Sequence, residues 1–129
     1  MSYRVVEAPD GPKPPPQTWS SMKVHGNGHF HISGLTSPGE NMYEQARGVF
    51  DRARRLLEEA GGAMDDVMAM QIFVTRLDEN TEVWRARREF FSGDYPCSTL
   101  IEVTRVGNPR AEPPTLIEIN FTGYLGAGD

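Results

Sequence analysis

The sequence predicts a two-layer α+β domain in which two amphipathic helices cover one face of a single sheet. Two stretches have helical periodicity, six have strand patterning, and their order is β-β-β-α-β-α-β-β. The last strand alternates apolar and polar residues, as expected when one face of a sheet is buried. Because both helices need an apolar surface to cover, one sheet face remains for solvent, a partner subunit or a binding site.

The first three strands are predicted over residues 3–8, in the stretch "SSMKVHG" and over residues 29–34. The proline-rich stretch "PDGPKPPPQ" follows the first strand and must be extended or looped. The pair Asn27-Gly28 is a strong hairpin signal between the second and third strands. In the third strand, Phe30 and Ile32 share one face, while His29, His31 and Ser33 share the other.

The first helix is predicted over residues 42–60, where apolar residues recur at helical spacing before the pair Gly61-Gly62. The second helix is predicted over residues 78–91. Asp78 is its candidate N-cap, and Asn80 and Thr81 compete for that role.

The remaining strands are predicted over residues 69–75, 99–104 and 115–124. In the last of these, Ile117, Ile119 and Phe121 fit the helix-covered face. Leu116, Glu118 and Asn120 then fall on the opposite face.

Composition predicts one ordinary globular domain over residues 1–129, with an extended segment at 1–18 and a disordered tail at 125–129. The net charge of −5 gives no support for a nucleic-acid or anionic-membrane partner. A single cysteine excludes an intrachain disulfide. With no secretory signal and no apolar run of about 18 residues, the expected location is the cytoplasm.

Three stretches resemble the Rid family, the reactive intermediate deaminases that are also called the YjgF or L-PSP endoribonuclease family. They are "HISG", "QARGVFDRARRLLEEAGGAMDDVMAMQIFVTRL" and "PCSTLIEV". The resemblance covers residues 20–122 and implies a chorismate-mutase-like fold and a homotrimer with clefts between subunits. It also implies hydrolysis of enamines and imines without a metal or an organic cofactor.

The resemblance assigns roles to several residues. Glu118 matches the glutamate that positions the attacking water. Ser33 and Gly34 match a pair whose backbone N–H groups face the ligand. Trp19 or Ser20 takes the place of the family's tyrosine, depending on a one-residue choice of alignment.

The strand opening "PCST" departs from the family's pattern. Ser98 stands where an arginine binds the substrate carboxylate, so the expected substrate is not a simple amino-acid imine. Asn120 stands where the family has a second glutamate. Ser98, Thr99 and Cys97 are expected to line the cleft. Cys97 is read as a small strand-end residue rather than a nucleophile, because no activating base lies at a diagnostic position.

His29 and His31 have a spacing that can offer two imidazoles to a metal, but no third ligand is evident, so no metal is predicted. Three functions remain open. The first is a hydrolase of a reactive enamine, imine or related C=N compound, and the second is a non-catalytic trimer that binds a metabolite. RNA cleavage is the third, and the charge supports it least. The ligand and the role of the loop at 107–114 stay undetermined.

Overall fold

The structure is a computed structural model, and it describes residues 2–7 and 18–129. The proline-rich stretch predicted to be extended or looped lies wholly outside these residues. The observed element order confirms the predicted β-β-β-α-β-α-β-β arrangement. The strands are β1 Tyr3–Val6, β2 Met22–His25, β3 His29–Leu35, β4 Val67–Val74, β5 Cys97–Glu102 and β6 Ile117–Tyr124; the helices are α1 Met42–Ala60 and α2 Asn80–Arg87.

The six strands form one sheet in the order β1-β2-β3-β6-β4-β5. Neighbouring strands are antiparallel except for β4 and β5, which are parallel. A parallel pair needs a crossover connection, and α2 provides it. Consequently β5 forms one edge of the sheet and β1 forms the other, so within the described chain each pairs on one side only.

The core lies between the two helices and one face of the sheet, which is called the covered face below. Ile117, Ile119 and Phe121 of β6 are fully buried there, which confirms the predicted alternation. The Phe121 ring lies 6.1 Å from the ring of Phe50, which α1 contributes from above. The other face, called the open face, carries the polar side chains of the same strands.

Helix α1 begins and ends where the sequence predicts. The side chain of Asn41 accepts a hydrogen bond of 2.9 Å from the N–H of Glu44 and so caps the first turn. Gly61 adopts the left-handed conformation with φ of 92°, and the N–H of Gly62 donates to the carbonyl of Leu57 at 2.7 Å. Within the described ranges, neither helix is long and apolar enough to span a bilayer.

Helix α2 is shorter than predicted. The residues Leu77–Glu79 form a separate 3-10 turn, and the N-cap position falls on Glu79, whose side chain makes no capping bond. The prediction of Asp78 as N-cap is therefore wrong. After Arg87 the chain tightens, because the N–H of Phe90 donates to the carbonyl of Arg87, three residues earlier. This tightening turns Phe91 into the core.

The C-terminal residues 125–129, predicted to be disordered, form hydrogen-bonded turns instead. The N–H of Leu125 donates to the carbonyl of Gly28 at 2.9 Å. The N–H of Gly128 donates to the carboxylate of Asp66 at 2.9 Å. Asp66 is buried, and a buried carboxylate needs hydrogen-bond donors. The C-terminal residues are therefore held in place because they supply one of these donors.

Candidate functional site

The candidate site lies on the open face, where three strands bring polar side chains side by side. The register places Asn120 of β6 opposite Gln71 of β4, and Gln71 opposite Thr99 of β5. A shallow concavity of about 350 Å³ opens beside this row. The polar residues that line it are His31, Ser33, Gln71, Asn120 and Thr122.

Glu118 projects from β6 onto the open face beside Gly34. It is partly exposed, between the buried Ile117 and Ile119. Gly34 has a φ of +69° at an irregularity in the pairing of β3 with β6. A Cβ built on Gly34 would lie 3.9 Å from Oε2 of Glu118, so the carboxylate lies close above this backbone. The glycine therefore both permits the left-handed conformation and leaves room beside the carboxylate.

A hydrogen-bonded chain of amides crosses the open face next to Glu118. The N–H of Gly34 donates to Oδ1 of Asn120 at 2.8 Å. The Nδ2 of Asn120 donates in turn to Oε1 of Gln71 at 3.3 Å. The N–H of Gly34 that was expected to face a ligand is thus bonded within the chain. These bonds hold the Asn120 amide in one orientation.

Ser33, Trp19 and Ser20 lie at the same end of the sheet as Gly34. The N–H of Ser33 donates to the carbonyl of Ser21 at 3.3 Å, and this bond joins β3 to the chain that enters β2. Ser20 and Trp19 directly precede that contact. Trp19 is 59% exposed, so its indole lies on the surface.

The structure separates the three small residues that open β5. Ser98 pairs with Met70, which is buried on the covered face. Thr99 pairs with Gln71, and Cys97 pairs with Ala69, both on the open face. Paired residues in adjacent strands point to the same side of a sheet, so Ser98 faces the helices while Thr99 and Cys97 share the face of Glu118.

Arg87, at the end of α2, lies against Ser98. Its Nη2 donates to Oγ of Ser98 at 3.2 Å. Its Nε is buried, and no acceptor for it occurs among the described residues. Burial lowers the pKa of Arg87 and the Tyr95 phenol opposes this, but a guanidinium stays protonated at neutral pH. A positive charge therefore lies at the strand opening although the sequence at position 98 has none.

Sequence reasoning missed Arg87, which lies within the predicted second helix and was given no role there. Arg87 and Ser98 are separated by a turn and by "SGDYP", whose path cannot be read from periodicity. The only hint in the sequence was the run of arginines near the end of that helix. Such runs usually face solvent, so the hint did not point to a site.

Cys97 is exposed and lies far from the chain's histidines. It shares a row of the open face with Ala69, Thr122 and His31, each on a successive strand. At about 4.8 Å per strand spacing, Cys97 and His31 are ~14 Å apart. Within one chain, no imidazole can activate this thiol.

The fold and the open face define a small α+β protein with a polar site on an uncovered sheet. A family model described as endoribonuclease L-PSP matches residues 12–124, so the chain belongs to this family, the Rid or YjgF family. The predicted family resemblance is confirmed. At the family level, membership supports a small-molecule deaminase or an endoribonuclease-like role.

Several solved structures have the same fold as this protein over nearly its whole chain. A Pseudomonas aeruginosa protein of unknown function is 29% identical, with a TM-score of 0.86 and coverage of 97% of this chain and 94% of that chain. A YjgF/YER057c/UK114 family member from Mycobacterium tuberculosis is 25% identical, with a TM-score of 0.82 and coverage of 96% and 100%. RidA from an Antarctic Psychrobacter is 22% identical, with a TM-score of 0.81 and coverage of 95% and 99%. At 22% identity, this last match supports only the assignment of the fold.

Proposed function

We propose that this protein hydrolyses a reactive enamine, imine or related C=N metabolite in clefts between the subunits of a homotrimer. The observation that carries the proposal is the position of Glu118. Its carboxylate lies above Gly34, beside a concavity whose lining includes the polar side chains of Gln71 and Asn120. A carboxylate at such a position can orient a water molecule and accept its proton.

The chemistry asked of Glu118 is limited. Water adds to the carbon of the C=N bond while the carboxylate takes a proton from that water. Glu118 delivers this proton to the nitrogen, then takes the proton of the new hydroxyl group and passes it to the nitrogen as the C–N bond breaks, so the products are a carbonyl compound and ammonia or an amine. An enamine enters the same sequence as its imine tautomer. No group other than Glu118 has to change its protonation state, and the fixed amides of Asn120 and Gln71 are placed to bind a polar substituent.

Arg87 supplies the positive charge that Ser98 lacks. Its guanidinium donates to Ser98 Oγ at the outer edge of the sheet. In the proposed trimer this edge meets the Glu118 end of a neighbouring subunit. An anionic group of the substrate would then bind Arg87 and Ser98, while the C=N carbon faces the neighbour's carboxylate. The sequence predicts that the carboxylate-binding charge is lost; we propose instead that α2 provides it from another position.

The open face supports assembly because it exposes large apolar side chains. Tyr3, Val5, Ile101 and Tyr124 are 40 to 54% exposed, and the strand register places them on this face. Tyr3 and Val5 lie on the β1 edge and Ile101 on the β5 edge, so both edges of the sheet offer apolar side chains to a partner subunit. We expect light scattering to give three times the chain mass of 14.4 kDa. A monomer mass at micromolar concentration would contradict the shared cleft.

One observation favours a second candidate, a non-catalytic trimer that binds a metabolite. Asn120 occupies the position next to Glu118 on the same face, and an amide cannot accept a proton. RNA cleavage has less support, because several surface arginines are paired with acids. Arg85 lies 2.6 Å from Glu82, and Arg47 lies 3.0 Å from Glu89.

The test compares Glu118→Gln with the wild type. The glutamine keeps the shape but cannot take a proton, so we expect hydrolysis to fall at least about a hundredfold while ligand binding is retained. Enamines and imines are generated in situ by a dehydratase or an amino-acid oxidase, and release of the carbonyl product and ammonia is followed. Glu59→Gln, on the exposed surface of α1, is the matched control and is expected to behave as wild type.

Three results are informative. Turnover that disappears only in Glu118→Gln supports the hydrolase. Tight binding of small acids without turnover of any C=N substrate would overturn it in favour of the binding protein. Turnover that survives in Glu118→Gln would remove this residue from the mechanism.

A further inference from the structure

The three histidines of this chain lie together on the open face, at the end of the sheet formed by the β2–β3 hairpin. His25 ends β2, and His29 and His31 lie on β3. The sequence contains three histidines in all, so this group, called the histidine cluster below, holds every imidazole of the chain. A glycine turn brings it together: the N–H of Gly28, with φ of 92°, donates to the carbonyl of His25 at 2.9 Å.

The rings are close enough for their nitrogens to converge. The centroids of His29 and His31 are 4.7 Å apart, and those of His25 and His29 are 5.6 Å apart. One nitrogen of each ring lies within 4.8 Å of the corresponding nitrogens of the other two. Around a tetrahedral Zn²⁺ with bonds of about 2.0 to 2.1 Å, ligand nitrogens are ~3.4 Å apart, so small side-chain rotations close the difference.

A metal binds the neutral form of imidazole. Lys23, which pairs with His31 across the hairpin, directs its ammonium to the ring of Tyr3 at 4.3 Å from the centroid. The ammonium of Lys23 therefore interacts with the Tyr3 ring on β1 rather than with the histidine cluster.

We propose that the histidine cluster binds one divalent transition-metal ion per chain, of the Zn²⁺ class, through the three imidazoles. His25 is the third ligand that the spacing of His29 and His31 by itself does not reveal. Three protein nitrogens leave a fourth position for water or for a ligand atom. His31 also lines the concavity on the open face, so that position is next to the proposed substrate site. The inference does not depend on the proposed hydrolysis, because it rests on the cluster alone.

The experiment titrates the full chain, free of any affinity tag, with ZnCl₂ in a calorimeter. We expect one ion per chain with a dissociation constant in the micromolar range or below. His31→Gln, His25→Gln and His29→Gln should each weaken binding at least tenfold. Cys97→Ala is the matched control, since it removes the chain's thiol on the β5 edge, three strands away from His31, and should leave the affinity unchanged.

A wild-type measurement keeps the test valid if a variant does not fold. Cu²⁺ added to the wild type should give an electron paramagnetic resonance spectrum with hyperfine coupling to three imidazole nitrogens. Coupling to fewer than three nitrogens, a Zn²⁺ dissociation constant above 1 mM, or affinity that a folded His31→Gln variant retains would each overturn the proposal.

Discussion

The two faces of the sheet come from alternate residues of the same strands, yet they have different tasks. On the covered face, Ile119 and Phe121 are fully buried beneath α1. On the open face, Glu118 and Asn120 are partly exposed, and Asn120 is hydrogen-bonded to Gly34 and Gln71. The covered face holds the apolar core and hence the fold. The open face contributes little to that core, so its residues are free to serve binding, assembly and chemistry.

The comparison predicts that neighbouring residues of β6 differ sharply in their effect on stability. Phe121→Ala should lower the free energy of unfolding by about 3 to 5 kcal/mol, because it leaves a cavity against Phe50. Thr122→Ala, one residue later on the open face, should cost less than about 1 kcal/mol. Chemical denaturation at one fixed protein concentration measures both. Similar losses would show that the open face is part of the stabilising core.

Arg87 offers a way to test whether charge at the sheet edge serves the open-face site. Arg87→Gln should weaken binding of an anionic ligand about tenfold or more, since it removes a partly buried charged donor. The double variant Arg87→Gln, Ser98→Arg should recover much of the lost affinity. It places a guanidinium at position 98, the residue that Arg87 contacts in the wild type. Arg88→Gln, at the exposed neighbouring position, is the control. If all three variants bind the anionic ligand as tightly as the wild type, Arg87 is not part of the site.

The histidines add a shallow pH dependence to stability. The pKa of His31 is lowered by partial burial and by His29 and His25, so the unfolded chain binds the proton more readily. The stabilisation is therefore fully present above the ordinary histidine pKa of about 6.5, and it is lost as pH falls through the lower pKa of the folded state. Denaturation midpoints between pH 5 and 8 should show a smaller slope for His31→Asn than for wild type. An equal slope would contradict this contribution.

The smallest expected effect belongs to Cys97. Cys97→Ala should leave stability, binding and turnover nearly unchanged, because the side chain is exposed and no imidazole of its own chain reaches it. Kinetics of the variant beside the wild type measures this directly. A folded but inactive variant would make Cys97 the nucleophile and replace the role given to Glu118.

Much of the fold could be predicted because its causes are local. The bounds of α1 follow from helical spacing and from the glycine pair that stops it, and both can be read along one stretch of chain. The same is true of the faces of β6. The start of α2 could not be predicted, because three acceptable caps compete within four residues and the fold uses none of their side chains.

By itself the sequence determined the element order, the family and the placement of Glu118 on the face opposite the core. Only the tertiary structure decided that His25 joins His29 and His31, that Arg87 reaches Ser98, and that Ser98 and Thr99 face opposite ways. Alternation along a strand is a property of consecutive residues. Which side chains meet across strands depends on register, strand order and the path of the connecting turns, and these are set when the whole sheet packs beneath its helices.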